Sequence, residues 1–147
     1  MRIMGLDYGA KTVGVAITDP EFYTVSPLEI IRRKKENHLR STLARIEELV
    51  KEYSVELIVT GLPLNMDDTA GERARLSELF AEEVGKRCNV KCVMQDERLS
   101  SAEAEEELAF LGASHDEIKQ QVDMYAAVVI LRDYISLHKD ELQPAEV

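Results

Sequence analysis

Three acidic residues stand where an acid is costly unless something holds it. Asp7 follows the apolar run Ile3-Met4-Gly5-Leu6. A carboxylate at the inner end of a central strand is partly desolvated and stays ionised only against a cation or several hydrogen-bond donors. The alternative is a turn Asp that accepts from the backbone N–H of Gly9 or Ala10. Glu97 comes just after the extended stretch Val90–Met94, which runs straight into Gln95-Asp96-Glu97-Arg98, in the crevice at the carboxyl end of a sheet where α/β proteins hold their ligands. Its alternative is an exposed acid facing a helix N-terminus. Asp123 interrupts the apolar series Val122-Asp123-Met124-Tyr125-Ala126-Ala127-Val128-Val129-Ile130. An acid on a buried helix face is expensive unless paired or metal-bound; the alternative is a place on that helix's one exposed stripe.

Brought together, the three would form a carboxylate cluster suited to one or two Mg²⁺ or Mn²⁺ ions, because oxygen ligands select hard cations. Two such ions about 3.5–4 Å apart activate water and stabilise the leaving oxygen of a phosphodiester. Arg98, beside Glu97, can pair with an acid or with a phosphate, and Lys11 stands four residues after Asp7.

The elements that would position these residues are legible from periodicity. Residues 2–7 and 12–18 read as two strands joined by Tyr8-Gly9-Ala10-Lys11, a short turn in which Gly9 can adopt positive φ. A third extended stretch covers 24–33, with Pro27 better suited to an edge. Leu39, Leu43, Ile46, Val50 and Tyr53 fall on one helical stripe over 38–53. Leu57-Ile58-Val59, ending at Gly61-Leu62-Pro63, reads as a strand covered on both faces. Thr69-Ala70-Gly71-Glu72 offers a capping box for a helix with a Leu76, Leu79, Phe80, Val84 stripe. Val90–Met94 is a fifth strand. Ser100-Ser101-Ala102-Glu103 caps a helix that Gly112 ends, and Ser114-His115-Asp116-Glu117 caps a last helix running to about Leu137. The order β-β-β-α-β-α-β-α-α implies an α/β fold: one mixed sheet, a three-strand antiparallel meander plus parallel strands, with helices on its faces.

The 147 residues suit one domain, expected over 1–138 with a frayed tail over 139–147. No apolar run approaches the roughly 20 residues of a membrane helix, and the N-terminus reaches a charge too early for a signal peptide. Cys88 and Cys92 are too few for a disulfide framework and point to two half-buried thiols in a reducing cytoplasm. Net charge is −10, and it is uneven: residues 1–98 hold 15 basic and 17 acidic side chains, residues 99–147 hold 3 and 11. That balance argues against loose polyanion binding. It leaves room for a local basic patch at Arg32-Arg33-Lys34-Lys35, with Arg40 and Arg45 following, or for a plain solvated loop there.

Four segments in register carry a family resemblance: Met4–Ala16, Gly61-Leu62-Pro63-Leu64-Asn65-Met66-Asp67, Asp96-Glu97-Arg98-Leu99-Ser100 and Asp123-Met124-Tyr125-Ala126-Ala127. Together they resemble the YqgF (RuvX) family of RuvC-like nucleases. The resemblance implies a ribonuclease-H-like fold and a cytoplasmic bacterial protein. It also implies a divalent-metal-dependent nuclease, maturing the 5′ end of precursor 16S ribosomal RNA or resolving Holliday junctions. Carried onto this chain, the family's acidic positions are Asp7, Glu97 and Asp123, with Asn65 a polar contact in the same cleft. The implied partners are precursor ribosomal RNA or branched DNA and ribosomal particles, with no membrane, for a monomer or homodimer. Two departures remove phosphate contacts expected of the family: Ala10 and Thr12 in the first turn, and a segment from Ser114 to Gln121 whose only basic residue is Lys119. Two other classes remain beside the nuclease: a non-catalytic RNA-binding assembly factor, and an ATP-binding module of the actin-like kind, for which the chain has no second domain.

Overall fold

The apolar run after Arg2 and the one after Thr12 fold against each other as antiparallel strands β1 (Arg2–Tyr8) and β2 (Thr12–Thr18), with Leu6 opposite Val15 and Asp7 opposite Gly14. The structure, a computed structural model, describes residues 2–21, 24–63, 71–96 and 100–139, with side chains described there except at 100–103, 119, 120 and 123. Strand β3 (Val25–Arg32) completes the meander as an edge strand, and a register shift between Val15 and Ala16 accompanies Pro27, which lacks a ladder donor. Strands β4 (Val55–Leu62) and β5 (Lys91–Asp96) run parallel to β1, giving the order β3-β2-β1-β4-β5.

Helices α1 (Arg40–Glu52) and α2 (Glu72–Cys88) cover one face of this sheet; α4 (His115–Leu137) covers the other, with α3 (Ser100–Phe110) packed on α4. Strand alternation explains the two cores. Met4, Leu6 and Tyr8 of β1 join Leu43, Ile46, Leu49, Phe80 and Val84, while Ile3 joins Ala127, Ile130 and Leu131. Strand β4 contributes Ile58 to the first core and Leu57 and Val59 to the second, so it is covered on both faces as its apolar run predicts. Each fully buried Ile, Leu or Met contributes roughly 1.5–3 kcal/mol relative to an exposed position.

The caps follow the sequence in two places. Ser114 accepts from the Glu117 N–H and Glu117 accepts from the Ser114 N–H, closing the expected box at the start of α4. Gly112, at φ +87°, ends α3: its N–H donates to Ala109 and the Ala113 N–H to Leu108, a Schellman pair. At the start of α2, Gly71, in extended conformation, is the N-cap and Glu72 accepts two hydrogen bonds from Arg75; Thr69 of the expected box lies outside the described residues. Leu79, expected on the buried stripe, is 46% exposed, because the helix turns Ala74, Ser77, Ala81 and Val84 to the sheet. The remaining cap expectation, at Ser100, falls where α3 is already helical. The tail from residue 140 lies outside the described residues. Among the described residues, no helix is long and apolar enough to cross a membrane.

Candidate functional site

The carboxyl ends of β1, β4 and β5 are level. Leu6 is opposite Thr60, and one and two residues further along β4, Gly61 is opposite Gln95 and Leu62 opposite Asp96. Asp7 therefore ends the same edge on which β5 finishes, one strand away on either side of β4. The β1 and β5 ends are about 10 Å apart. Asp7 is half-buried and, by alternation with Ile3 and Gly5, belongs to the face covered by α4.

Helix α4 lies directly on β1. A Cβ built on Gly5 would be 2.9 Å from the Ala127 carbonyl oxygen and 2.9 Å from Leu131 Cβ, so only hydrogen fits there. Asp7 is two residues beyond Gly5, a step of about 6.7 Å. Asp123 is one helical turn before Ala127, a step of about 6 Å.

The turn after Asp7 is clamped from two sides. The Gly9 N–H donates to the Thr12 carbonyl at 2.7 Å, which engages one of the two donors that a turn Asp would use. Gly9 does not take positive φ; its lack of a Cβ serves this approach, since a Cβ would sit 3.1 Å from that same oxygen. Arg33 donates through Nη2 to the Gly9 carbonyl at 2.6 Å and through Nε to the Glu36 carbonyl at 3.2 Å. Arg73 donates through Nη2 to the Tyr8 carbonyl at 3.2 Å and through Nη1 to the Glu36 carboxylate. Both guanidinium groups lie over the Tyr8 ring, at 4.8 and 5.0 Å from its centroid, and that ring stacks on Phe80 at 4.3 Å. Such cation–π contacts contribute about 0.5–2 kcal/mol each. Arg33 is 8% exposed, and its Nη1 has no hydrogen-bond partner among the described residues.

Of the residues expected at the site, Lys11 is exposed at the tip of the β1–β2 turn. Asn65, Glu97 and Arg98 lie outside the described residues, as does the side chain of Asp123. No cluster of metal-ligating side chains occurs among the described residues, a set that includes only Asp7 of the three acids as a full side chain. The two thiols are half-buried and free, and burial pushes Cys88 up to about 11 and raises Cys92, so neither is a nucleophile at neutral pH. The clamp of Arg33, Glu36 and Arg73 was missed from sequence. The alternation of buried Ile31, exposed Arg32 and buried Arg33 at the end of β3 was the available signal for Arg33. Nothing local marks Arg73.

A family model described as "RuvX: Holliday junction resolvase" matches residues 1–137. A protein of Lachnospira eligens is 50% identical over 135 residues, 92% of this chain and 96% of that protein. One of Listeria monocytogenes serotype 4b is 45% identical over 92% of this chain and 97% of its own. Both bear the name "Putative pre-16S rRNA nuclease". Among solved structures, RuvC of T. thermophilus in complex with Holliday junction substrate superposes with a TM-score of 0.63 at 13% identity, covering 97% of each chain. The fowlpox virus Holliday junction resolvase superposes with a TM-score of 0.52 at 13% identity, covering 93% of this chain and 99% of its own. Likeness at that identity shows the fold, which is ribonuclease-H-like.

Proposed function

This chain belongs to the RuvX family, and from that premise we propose that it is a metal-dependent nuclease acting on structured nucleic acid, with maturation of the 5′ end of precursor 16S ribosomal RNA as its role. The names of relatives at 43–50% identity support the RNA substrate. The observation that carries the chemistry is the position of Asp7: a half-buried carboxylate at the end of β1, on the face pressed by α4, level with the end of β5 from which the chain continues into Glu97.

Asp7, Glu97 and Asp123 are the residues proposed to hold one or two Mg²⁺ or Mn²⁺ ions. The donor chemistry fits, because carboxylate oxygens are the ligands of hard divalent cations and a half-buried acid favours a cation beside it. Such an ion, when bound, supplies Lewis acidity toward water and phosphoryl oxygen. The direction of α4 supports Asp123 as a member of this set. Tyr134 and Ile135, C-terminal to the Gly5 contact, belong to the core patch with Ile3 and Val25. Val25 is opposite Thr18, whose hydroxyl accepts from the Ile3 N–H, so that patch reaches the start of β1. The part of α4 before Ala127, which includes position 123, then runs toward the Asp7 end.

The chain's own residues set the geometry. The Arg33 and Arg73 hydrogen bonds to the Gly9 and Tyr8 carbonyls hold the turn that follows Asp7. Lys11 on that turn, with Asn65 and Arg98, is proposed to steady the phosphate. A preset carboxylate of this kind costs no reorganisation at the moment of reaction.

The test is cleavage of precursor ribosomal RNA and of a four-way DNA junction by wild type and Asp7→Asn, with Mg²⁺ or Mn²⁺ varied. Wild type is expected to cut the RNA. Asp7→Asn should lose cleavage while keeping its thermal transition, and added metal should raise the Tm of wild type but not of Asp123→Asn, as linkage to a native-state site requires. Equal cleavage by Asp7→Asn would overturn the assignment. Cutting of the junction alone would favour the resolvase reading, which the description of the family model favours.

A further inference from the structure

The basic run read from the sequence is sorted by the fold into buried, paired and exposed members. Arg33 turns into the core beneath Tyr8, and Arg45 is tied to Glu29 and Glu48. Arg32, Lys34, Lys35 and Arg40 remain exposed, and Lys11 joins them: the Arg33 N–H donates to the Lys11 carbonyl at 2.8 Å, which seats the segment after β3 against the β1–β2 turn. Among the described residues none of these five cations pairs with a carboxylate, whereas Arg45, Arg73, Arg75, Arg87 and Arg132 all do.

Their place relative to Asp7 is fixed by register. Asp7 is opposite Gly14 and Gly14 is opposite Ile30; two residues further along, Thr12 is opposite Arg32. Residues two apart on a strand share a face, so Arg32 belongs to the same face of the sheet as Asp7, roughly 12 Å away from Cα to Cα. Lys34 and Lys35 continue outward from there, and Arg40 opens α1, whose first turn carries no acid. The helix pair α3–α4 has the reverse sign: Glu105, Glu106, Asp116 and Glu117 are exposed on it. A polyanion meeting the end of β1 is attracted by the first group and repelled by the second.

We propose that a nucleic-acid strand runs from the Asp7 end of the sheet over Lys11, Arg32, Lys34 and Lys35 toward Arg40, held by its phosphodiester backbone and kept off the α3–α4 flank. The placement of the reacting phosphate near Asp7 rests on the nuclease reading above; the track itself is a binding surface that can be read without cleavage. Backbone contacts of this kind carry affinity and orientation, not sequence preference.

The experiment is fluorescence anisotropy in EDTA with a fluorescein-labelled RNA stem-loop and, separately, a labelled four-way DNA junction. Wild type is compared with Arg32→Ala/Lys34→Ala/Lys35→Ala and with Lys51→Ala/Lys86→Ala/Lys91→Ala, which removes the same charge from exposed sites elsewhere. The track variant is expected to bind more weakly, with a slope of log K against log salt shallower by about 2–3, from roughly 0.7–0.9 for each phosphate no longer neutralised. The second variant should retain the wild-type slope. On wild type alone, RNA should protect Lys11, Lys34 and Lys35 from acetylation and leave Lys86 and Lys91 reactive. Equal effects of the two triple variants, or protection that spares the track, would overturn the proposal. A chain that binds along the track yet cuts neither probe in Mg²⁺ would remove the nuclease reading alone. Cleavage unchanged in the track variant, with wild-type binding, would remove the track alone.

Discussion

Glu29 on the edge strand β3 accepts two hydrogen bonds from Arg45 of α1, at 2.9 and 2.7 Å, and so ties the last strand of the meander to a helix that covers it. Those hydrogen bonds hold the Glu29 carboxyl below its ordinary value of 4.5, against the opposing effect of burial. A carboxyl lowered by folding adds stability above its unfolded value, and that contribution disappears as pH falls through the folded value. Urea denaturation at about pH 7 and about pH 3 should therefore show a smaller acid loss for Glu29→Gln than for wild type. With Arg45 38% exposed, solvent screening limits the difference to about 1 kcal/mol; identical acid losses would show that the pair contributes nothing. The same scale shows what sequence reasoning can and cannot find. Asp7 stood out because an acid after four apolar residues is costly; it lies half-buried on β1, opposite Gly14. Arg33 was hidden inside a run of like charges, and only the alternation of β3 distinguishes it from its exposed neighbours. Arg73 reaches the Tyr8 carbonyl across 65 residues of chain, a meeting that no local pattern announces.

At the scale of elements, the contact that matters most to the site is the one between α4 and β1 at Gly5. A methyl group there would lie 2.9 Å from a backbone oxygen of Ala127 and 2.9 Å from Leu131 Cβ, and neither atom is the far end of a flexible side chain. Gly→Ala in an unstrained position usually adds about 0.4–1 kcal/mol through the unfolded chain; here overpacking, about 1–3 kcal/mol, opposes it and wins. Gly5→Ala should therefore lower stability by a net of about 1–2 kcal/mol, and it should also lower cleavage by the folded fraction, because lifting α4 moves Asp123 relative to Asp7. Gly85→Ala is the control: its Cβ would meet Cys92 Cβ and the Val90 carbonyl at an ordinary 3.6 Å, inside α2, where Ala is favoured by about 0.8–1 kcal/mol. Urea melts of the two variants should move in opposite directions, and a stabilised Gly5→Ala would mean that α4 is not seated as described. Strands β1, β2 and β4 were legible because each carries a continuous apolar run bounded by turn residues or a change of period. The start of α2 was not, because Gly71 takes the cap position and Glu72 is drawn to Arg75. The exposure of Leu79 follows from the phase of α2, which small residues at Ala74, Ser77 and Ala81 set by letting the helix approach the sheet.

For the whole molecule, the two main cores share β1, β2 and β4, so neither can open without the other losing its wall. That coupling argues that the sheet opens as one cooperative unit with α1, α2 and the Ala126–Leu131 stretch of α4. The third core is of a different kind. Among the described side chains, Ala104 of α3 packs with Ala126 and Val129 of α4 and Leu108 is buried, while Phe110 is 90% and Leu111 64% exposed. Small side chains bury little apolar area, and α3 packs on α4 and not on the sheet. Sub-global opening draws on such regions first. Native-state hydrogen exchange should then show α3 amides opening at a free energy at least about 1.4 kcal/mol below those of β1, which is about tenfold less protection. The amides of α4 from Ala126 to Leu131, buried against the sheet, should follow β1 and not α3. Equal opening energies for α3 and β1 would place α3 inside the global unit.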